Sequence, residues 1–218
     1  MTTVLTVMDR NHWTANTDVI VVADPATITL TWVPRDLWSH EIQDRINTAY
    51  RKGGHQLLLT ALAALKIRAD HSICALPLAT CRCLANCAVT MQISEQMDFW
   101  YPMRMDLPIE KGQRLISFKP PNEILSGEKL HQWVGARKAV LPKFSNDLRR
   151  MGRQQMLVHR LLEEKYNFSS FLGDGISCSN EAAINELRLI NARWTMKTLA
   201  DGHFKTERMM WKYVLMPE

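Results

Sequence analysis

The chain has 218 residues, 46% apolar and 22% charged, with a formal net charge of +5 and a pI of about 9.0. These are globular values, and they exclude a disordered, collagenous or low-complexity chain. No apolar run approaches the roughly 20 residues of a transmembrane helix. The opening MTTVLTVMDRNHW lacks the cationic start of a signal peptide, and five bunched cysteines do not make a secreted disulfide framework. The expectation is an intracellular, cytoplasmic protein.

The first part, residues 1–121, reads mainly as strands. DVIVV at 18–22 is β-branched, DPA is a turn signal, and TITLTWV sets Ile28, Leu30 and Trp32 on one face against Thr27, Thr29 and Thr31. A helix is expected from Pro34 to Lys52. Trp38, Ile42, Ile46 and Tyr50 recur every four residues, and Gly53-Gly54 is the stop. HQLLLTALAALK predicts a second, buried helix. VTMQIS alternates as a strand, and 102–118 reads as a hairpin whose first strand, MRMDLPI, carries Pro108 at an edge or bulge.

Between these lies HSICALPLATCRCLANC, 71–87, which holds four of the five cysteines. As a zinc site it would use His71, Cys74, Cys83 and Cys87. Zinc wants two tight ligand pairs, and the segment has neither a C-x2-C knuckle nor a glycine. It reads instead as a pair of apolar core strands in which cysteine acts as a small hydrophobe. No cofactor is expected, with zinc as the minority alternative.

Residues 122–218 read as helical, beginning after Pro120-Pro121 and packed on the first region. SGEKLHQWVGA is a short helix with Ser126 at its N-cap. A long helix follows Pro142 as far as Tyr166. Another runs from Ser179 to about Ala200, and FKTERMMWKYVL is a terminal helix. The fold class is therefore α+β: a mainly antiparallel sheet with two early helices, then a helical C-terminal region.

The positive charge is local. From Gly135 to Arg160 seven basic residues (Arg137, Lys138, Lys143, Arg149, Arg150, Arg153, Arg160) face one acid, Asp147. At about 100° per residue, Arg149, Arg150, Arg153 and Arg160 share one side of a helix, opposite Met151, Val158, Leu162 and Tyr166. That predicts an arginine stripe suited to phosphates. The function this suggests is a non-catalytic binding or assembly protein for RNA or another anionic polymer, working as a subunit of an oligomer or a viral structural assembly. An anionic membrane surface or an acidic protein are the other partners of such a stripe. The alternative is an RNA-processing enzyme with His55, in YRKGGHQ, as general base, or a zinc-stabilised nucleic-acid-binding module. P-loop, nucleophile-elbow and HExxH motifs are missing from the sequence.

Overall fold

The computed structural model describes residues 1–77, 79–80, 84, 87–103, 112–145, 147–164, 166, 175–181, 183, 190, 193–199, 204–209 and 212–217. The chain is α+β, and most of its strand pairs are antiparallel. It divides into two compact units, Met1–Cys83 with Lys165–Glu218, and Leu84–Glu164. The boundary expected at residues 121 and 122 falls inside the second unit.

The first unit is built on strands β1 (Thr3–Met8), β2 (Thr17–Asp24), β3 (Thr29–Trp32), β6 (His71–Ala75), β12 (Ile176–Cys178) and β13 (Thr195–Thr198), in the order β12-β6-β1-β2-β3-β13. β1 with β6 and β3 with β13 are parallel; the other pairs are antiparallel. β2 and β3 lie where the β-branched runs place them. The turn between them is an Asx turn: Asp24 accepts from the Ala26 N–H at 3.0 Å and the Thr27 hydroxyl at 2.8 Å. Leu30 and Trp32 are buried as expected, but Ile28 stands in the turn, exposed and at a φ of 53°.

The segment from Pro34 to Lys52 is not the helix its four-residue spacing predicts. It holds two-residue strands β4 (Trp38–Ser39) and β5 (Asp44–Arg45), a 3-10 turn (Ile46–Thr48), and then helix α1 (Ala49–Ala64). Trp38, Ile42, Ile46 and Tyr50 are all buried, so the spacing marked burial correctly and helicity wrongly. Tertiary backbone bonds hold this loop: Ile46 N–H to Leu37 O at 2.7 Å and Asn47 N–H to Arg35 O at 3.2 Å. α1 kinks at Gly53-Gly54 rather than ending there. Gly54 has a φ of 62°, and a Cβ on Gly53 would lie 2.7 Å from the Leu57 Cβ, so both positions require glycine. Past the kink, Leu58, Ala61 and Leu62 pack on Val4, Met8, Ile20, Val22 and Cys74 to form the core of this unit.

β6 confirms the first half of the expected apolar strand pair. The second half does not follow, because residues 77 and 79–80 are helical; Cys81 and Cys83 lie outside the described residues. The C-terminal segment also departs from a helical reading. Thr195–Thr198 is a strand, so no helix reaches Ala200. The expected terminal helix is an antiparallel hairpin, β14 (Phe204–Met209) with β15 (Lys212–Pro217). Its aromatic and β-branched residues suit a pleated strand better than a helix.

The second unit carries β7 (Val89–Gln92) paired with β10 (Asn122–Leu125), and a three-stranded sheet of β11 (Lys138–Ala139), β8 (Met97–Pro102) and β9 (Gln113–Phe118). Val89 and Met91 are buried while Thr90 and Gln92 are exposed, as the alternation predicts. A hairpin pairs Met97–Pro102 with Gln113–Phe118; residues 104–109 of the expected first strand, Pro108 among them, lie outside the described residues. Helix α2 (Gly127–Gly135) starts after Ser126, whose side chain makes no cap bond. Helix α3 (Asp147–Glu163) follows a 3-10 turn at Pro142–Phe144. Phe99, Phe118 and Trp133 form an edge-on stack, with centroids 6.0 and 5.0 Å apart, at the centre of this core.

Candidate functional site

Charged side chains of opposite sign gather where the loop after β3 meets the start of β2. Asp9 follows β1, and Asp18 lies in β2. The Asp9 N–H closes the loop between them on Asn16 O at 2.8 Å. Pro34 and the bond from Val33 N–H to Ile20 O at 2.9 Å deliver Arg35 to this corner. Its guanidinium donates to Asp18 and lies 4.0 Å from Asp9. The three side chains are only 12–18% exposed, so the charges are largely desolvated and lock one another in place. The next residue, Asp36, pairs with Arg45 at 3.1 Å, and Asp44 pairs with Lys52 at 3.1 Å. Lys52 Nζ also donates to Ile42 O at 3.2 Å.

The buried polar atoms without a hydrogen-bond partner among the described residues include Arg35 Nε, and Asn16 Oδ1 and Asn47 Oδ1 of the segments whose backbones bond to Asp9 and Arg35. Such an atom costs about 1–3 kcal/mol, and the unpartnered Arg35 Nε is a donor that a polar ligand can satisfy. Arg35 and Arg45 offer planar donor forks and Lys52 a point charge, a set suited to phosphate oxygens. The carboxylates hold the forks in fixed rotamers.

A second polar cluster joins α1, β6 and β12. His55 Nδ1 lies 2.6 Å from Ser72 Oγ and His55 Nε2 lies 2.9 Å from Ser177 Oγ. Tyr50 meets the His55 ring edge-on at 5.1 Å. Burial pushes the His55 pKa below its ordinary value, which favours the neutral ring at pH 7. Burial raises the Tyr50 pKa, partly offset by a hydrogen bond between Tyr50 and Ser177.

The residues expected to form a basic surface take other places. Arg150 and Arg153 are buried at 2% and 4% exposure. With Gln154, Leu157 and Leu161 they form the inward face of α3; on the wheel, Leu157 and Leu161 fall with the arginines, not opposite them. Arg153 donates to Trp133 O at 3.1 Å and to Ala136 O, and stacks 4.6 Å over the Phe99 ring. Gln154 donates to Val134 O at 3.1 Å. Two side chains of α3 thus satisfy the carbonyls that end α2. Burial, with Arg150 nearby, lowers the Arg153 pKa to about 10, which leaves it charged at neutral pH. Arg160 pairs with Glu163 and Glu164 at 3.0 Å, and Lys143 with Glu95 at 2.5 Å. Arg137, Lys138 and Arg149 are exposed. No continuous arginine stripe faces solvent.

Of the expected metal ligands, the two described in the first unit do not converge. His71 and Cys74, three apart on β6, point to opposite faces of the strand. Cys74 is a core thiol that accepts from the Thr6 hydroxyl at 2.7 Å, and burial pushes its pKa up to about 12. His71 Nε2 lies by Met1 Sδ at 3.3 Å. Cys87 lies in the second unit, and Cys83 falls outside the described residues. Among the described residues no group of three or more His, Cys, Asp or Glu is placed to hold a metal ion.

A model of the LytR_cpsA_psr family matches residues 3–185. The chain belongs to this family. No curated protein matches it. The structure described as "TagT bound to LI-WTA" is similar to it at 18% identity and a TM-score of 0.68, covering 100% of this chain and 84% of that one. Protein gbs0355 of Streptococcus agalactiae is similar at 17% identity and a TM-score of 0.70, covering 99% and 81%, and TagV of B. subtilis at 15% and 0.65, covering 100% and 91%. At such identities the likeness establishes a shared fold. Membership of the LytR_cpsA_psr family overturns the RNA-binding, RNA-processing and viral assembly readings, together with the nucleic-acid, membrane-surface and acidic-protein partners drawn from the basic segment. As to membranes, no described helix is long and apolar enough to cross one.

Arg35 and its carboxylates escaped the sequence reading because they are single charges scattered over residues 9–52, in no fixed spacing. The one available signal was Pro34-Arg35-Asp36 directly after a buried strand, an abrupt place for charge.

Proposed function

We propose that this member of the LytR_cpsA_psr family is a cell-wall glycopolymer transferase that acts at the cell envelope. The family match over residues 3–185 carries the reading, and TagT, of similar fold, has been seen bound to LI-WTA and to LIIa-WTA. The geometry supports a phosphate-linked donor. Arg35 and Arg45 grip its non-bridging oxygens, and Lys52 adds charge. Asp9, Asp18, Asp36 and Asp44 keep the cations oriented before the donor arrives. A hydroxyl oxygen of a wall sugar, giving up its proton to a base, then forms a bond to the outer phosphorus of a diphosphate-linked donor, and the bond from that phosphorus to the bridging oxygen breaks. The carrier leaves as a phosphate anion. Fixed cations stabilise the charge that develops on the oxygens in passing.

The direct test is to incubate the protein with LI-WTA and peptidoglycan fragments and to follow covalent transfer by mass spectrometry. Transfer by the wild type that Arg35→Ala abolishes supports the reading. Failure of the wild type to transfer or to bind LI-WTA refutes it.

A further inference from the structure

Tyr50 and His55 lie on either side of the Gly53-Gly54 kink of α1, and the kink brings their rings into edge contact. Tyr50 also meets Trp13, with centroids 6.2 Å apart. Trp13 belongs to the loop between β1 and β2, whose ends carry Asp9 and Asp18, and it keeps 37% exposure. An aromatic row therefore runs from an exposed indole inward to a histidine whose two ring nitrogens both meet serine hydroxyls. Those serines differ. Ser72 is fully buried, whereas Ser177 is partly exposed. A neutral imidazole has one donor and one acceptor nitrogen. Donation from Nδ1–H to the buried Ser72 leaves the Nε2 lone pair facing the hydroxyl that solvent can reach.

We propose that Trp13, Tyr50, His55 and Ser177 form the acceptor subsite of the transfer reaction, with Trp13 packing on a sugar ring and Ser177 passing the proton of the attacking hydroxyl to His55. The inference rests on the transferase reading. Indole is apolar and flat, and it suits the C–H face of a pyranose while its edge stays wet. In the chemical step the acceptor oxygen bonds to phosphorus as its proton moves to Ser177 Oγ. The proton of Ser177 moves in concert to His55 Nε2. The carrier leaves as its phosphate anion, and imidazolium returns its proton to water. Ser177 touches the acceptor, and His55 is the positioning residue behind it, held in one tautomer by Ser72. The titratable groups facing the cluster are Tyr50 from the same helix and Cys74 from β6, both raised by burial and neutral near pH 7. Arg51 and Lys52 are the charges nearest on α1 itself.

The experiment is steady-state transfer from LI-WTA to peptidoglycan fragments across pH 4.5–8, with LI-WTA binding measured in parallel. The expected result is a wild-type kcat that falls in acid as His55 takes a proton. His55→Ala and Ser177→Ala each lower kcat by about 100-fold and lose that acid limb, with LI-WTA affinity unchanged. His55→Gln, which keeps two hydrogen bonds and the fold, loses kcat equally. Trp13→Ala raises the acceptor KM about tenfold with kcat within twofold, the loss of one stacking contact. If His55→Gln and Ser177→Ala keep kcat within threefold of wild type and keep its acid limb, the relay is wrong while the transferase reading stands. If the wild type neither binds LI-WTA nor transfers it, both fall.

Discussion

Arg35 is largely and Arg153 fully buried, each in a different unit, and they are held by opposite kinds of partner. Arg35 sits between two carboxylates, with its Nε unpartnered among the described residues. Arg153 donates to two backbone carbonyls and lies on an aromatic ring. The carbonyls belong to the end of α2, so Arg153 does structural work there, with Nε and one terminal nitrogen donating to main-chain oxygens. Carboxylates neutralise charge without using up every donor, so Arg35 keeps capacity for a further anion. Burial alone does not separate a structural cation from a functional one; the nature of its acceptors does.

The sharpest test of this contrast is Arg153→Ala. It removes two charge-assisted hydrogen bonds and the ring contact, and about 3–5 kcal/mol of stability is expected to go with them. Urea unfolding reads this directly, and a loss below about 1 kcal/mol would break the distinction. The converse is Arg35→Lys, which keeps the charge and removes the fork. Transfer should fall by about 30–100-fold, roughly 2–3 kcal/mol, while the unfolding midpoint moves little. A large stability loss with normal transfer would reverse the two roles.

A smaller effect compares two histidines. His55 in the first unit and His131 in the second, whose Nδ1 lies 2.6 Å from the Tyr101 hydroxyl, both have pKa values lowered chiefly by burial. In each case the unfolded chain binds a proton that the folded one resists. Stability is therefore full above the ordinary histidine pKa of 6.5 and falls as the pH drops from there toward the folded pKa. The slope is at most about 1.4 kcal/mol per pH unit per histidine. Unfolding at pH 7.5 and 5.5 measures it, and His131→Gln should flatten the curve. The smallest effect is expected for Arg160→Ala. Its pairs with Glu163 and Glu164 are 36–48% exposed, so the change should stay within about 0.5 kcal/mol with transfer unaltered.

Several elements were legible because the physics that forms them is local. Alternation placed β2, β3 and β7, and Ser126 and Pro142 preceded the helices of the second unit, whereas Gly53-Gly54, expected to stop a helix, kinks α1 instead. The segment 204–217 reads as an amphipathic helix and is a hairpin, because cross-strand pairing is not encoded in a local period. The loop 34–48 defeated the same rules. Its four-residue spacing is real burial, yet its backbone is fixed by bonds to β2 and to itself, and no local period encodes those.

The amino-acid sequence by itself determined the α+β class, many of the core positions and a break in helical geometry at Gly53-Gly54, since these follow from side-chain period and backbone freedom. Only the tertiary structure decided which charges meet. Asp9, Asp18 and Arg35 are far apart in the chain and adjacent at one corner, while the densest run of arginines turns two of its members into the protein. Electrostatic sites depend on distance in space and on desolvation, and neither can be read from spacing along the chain.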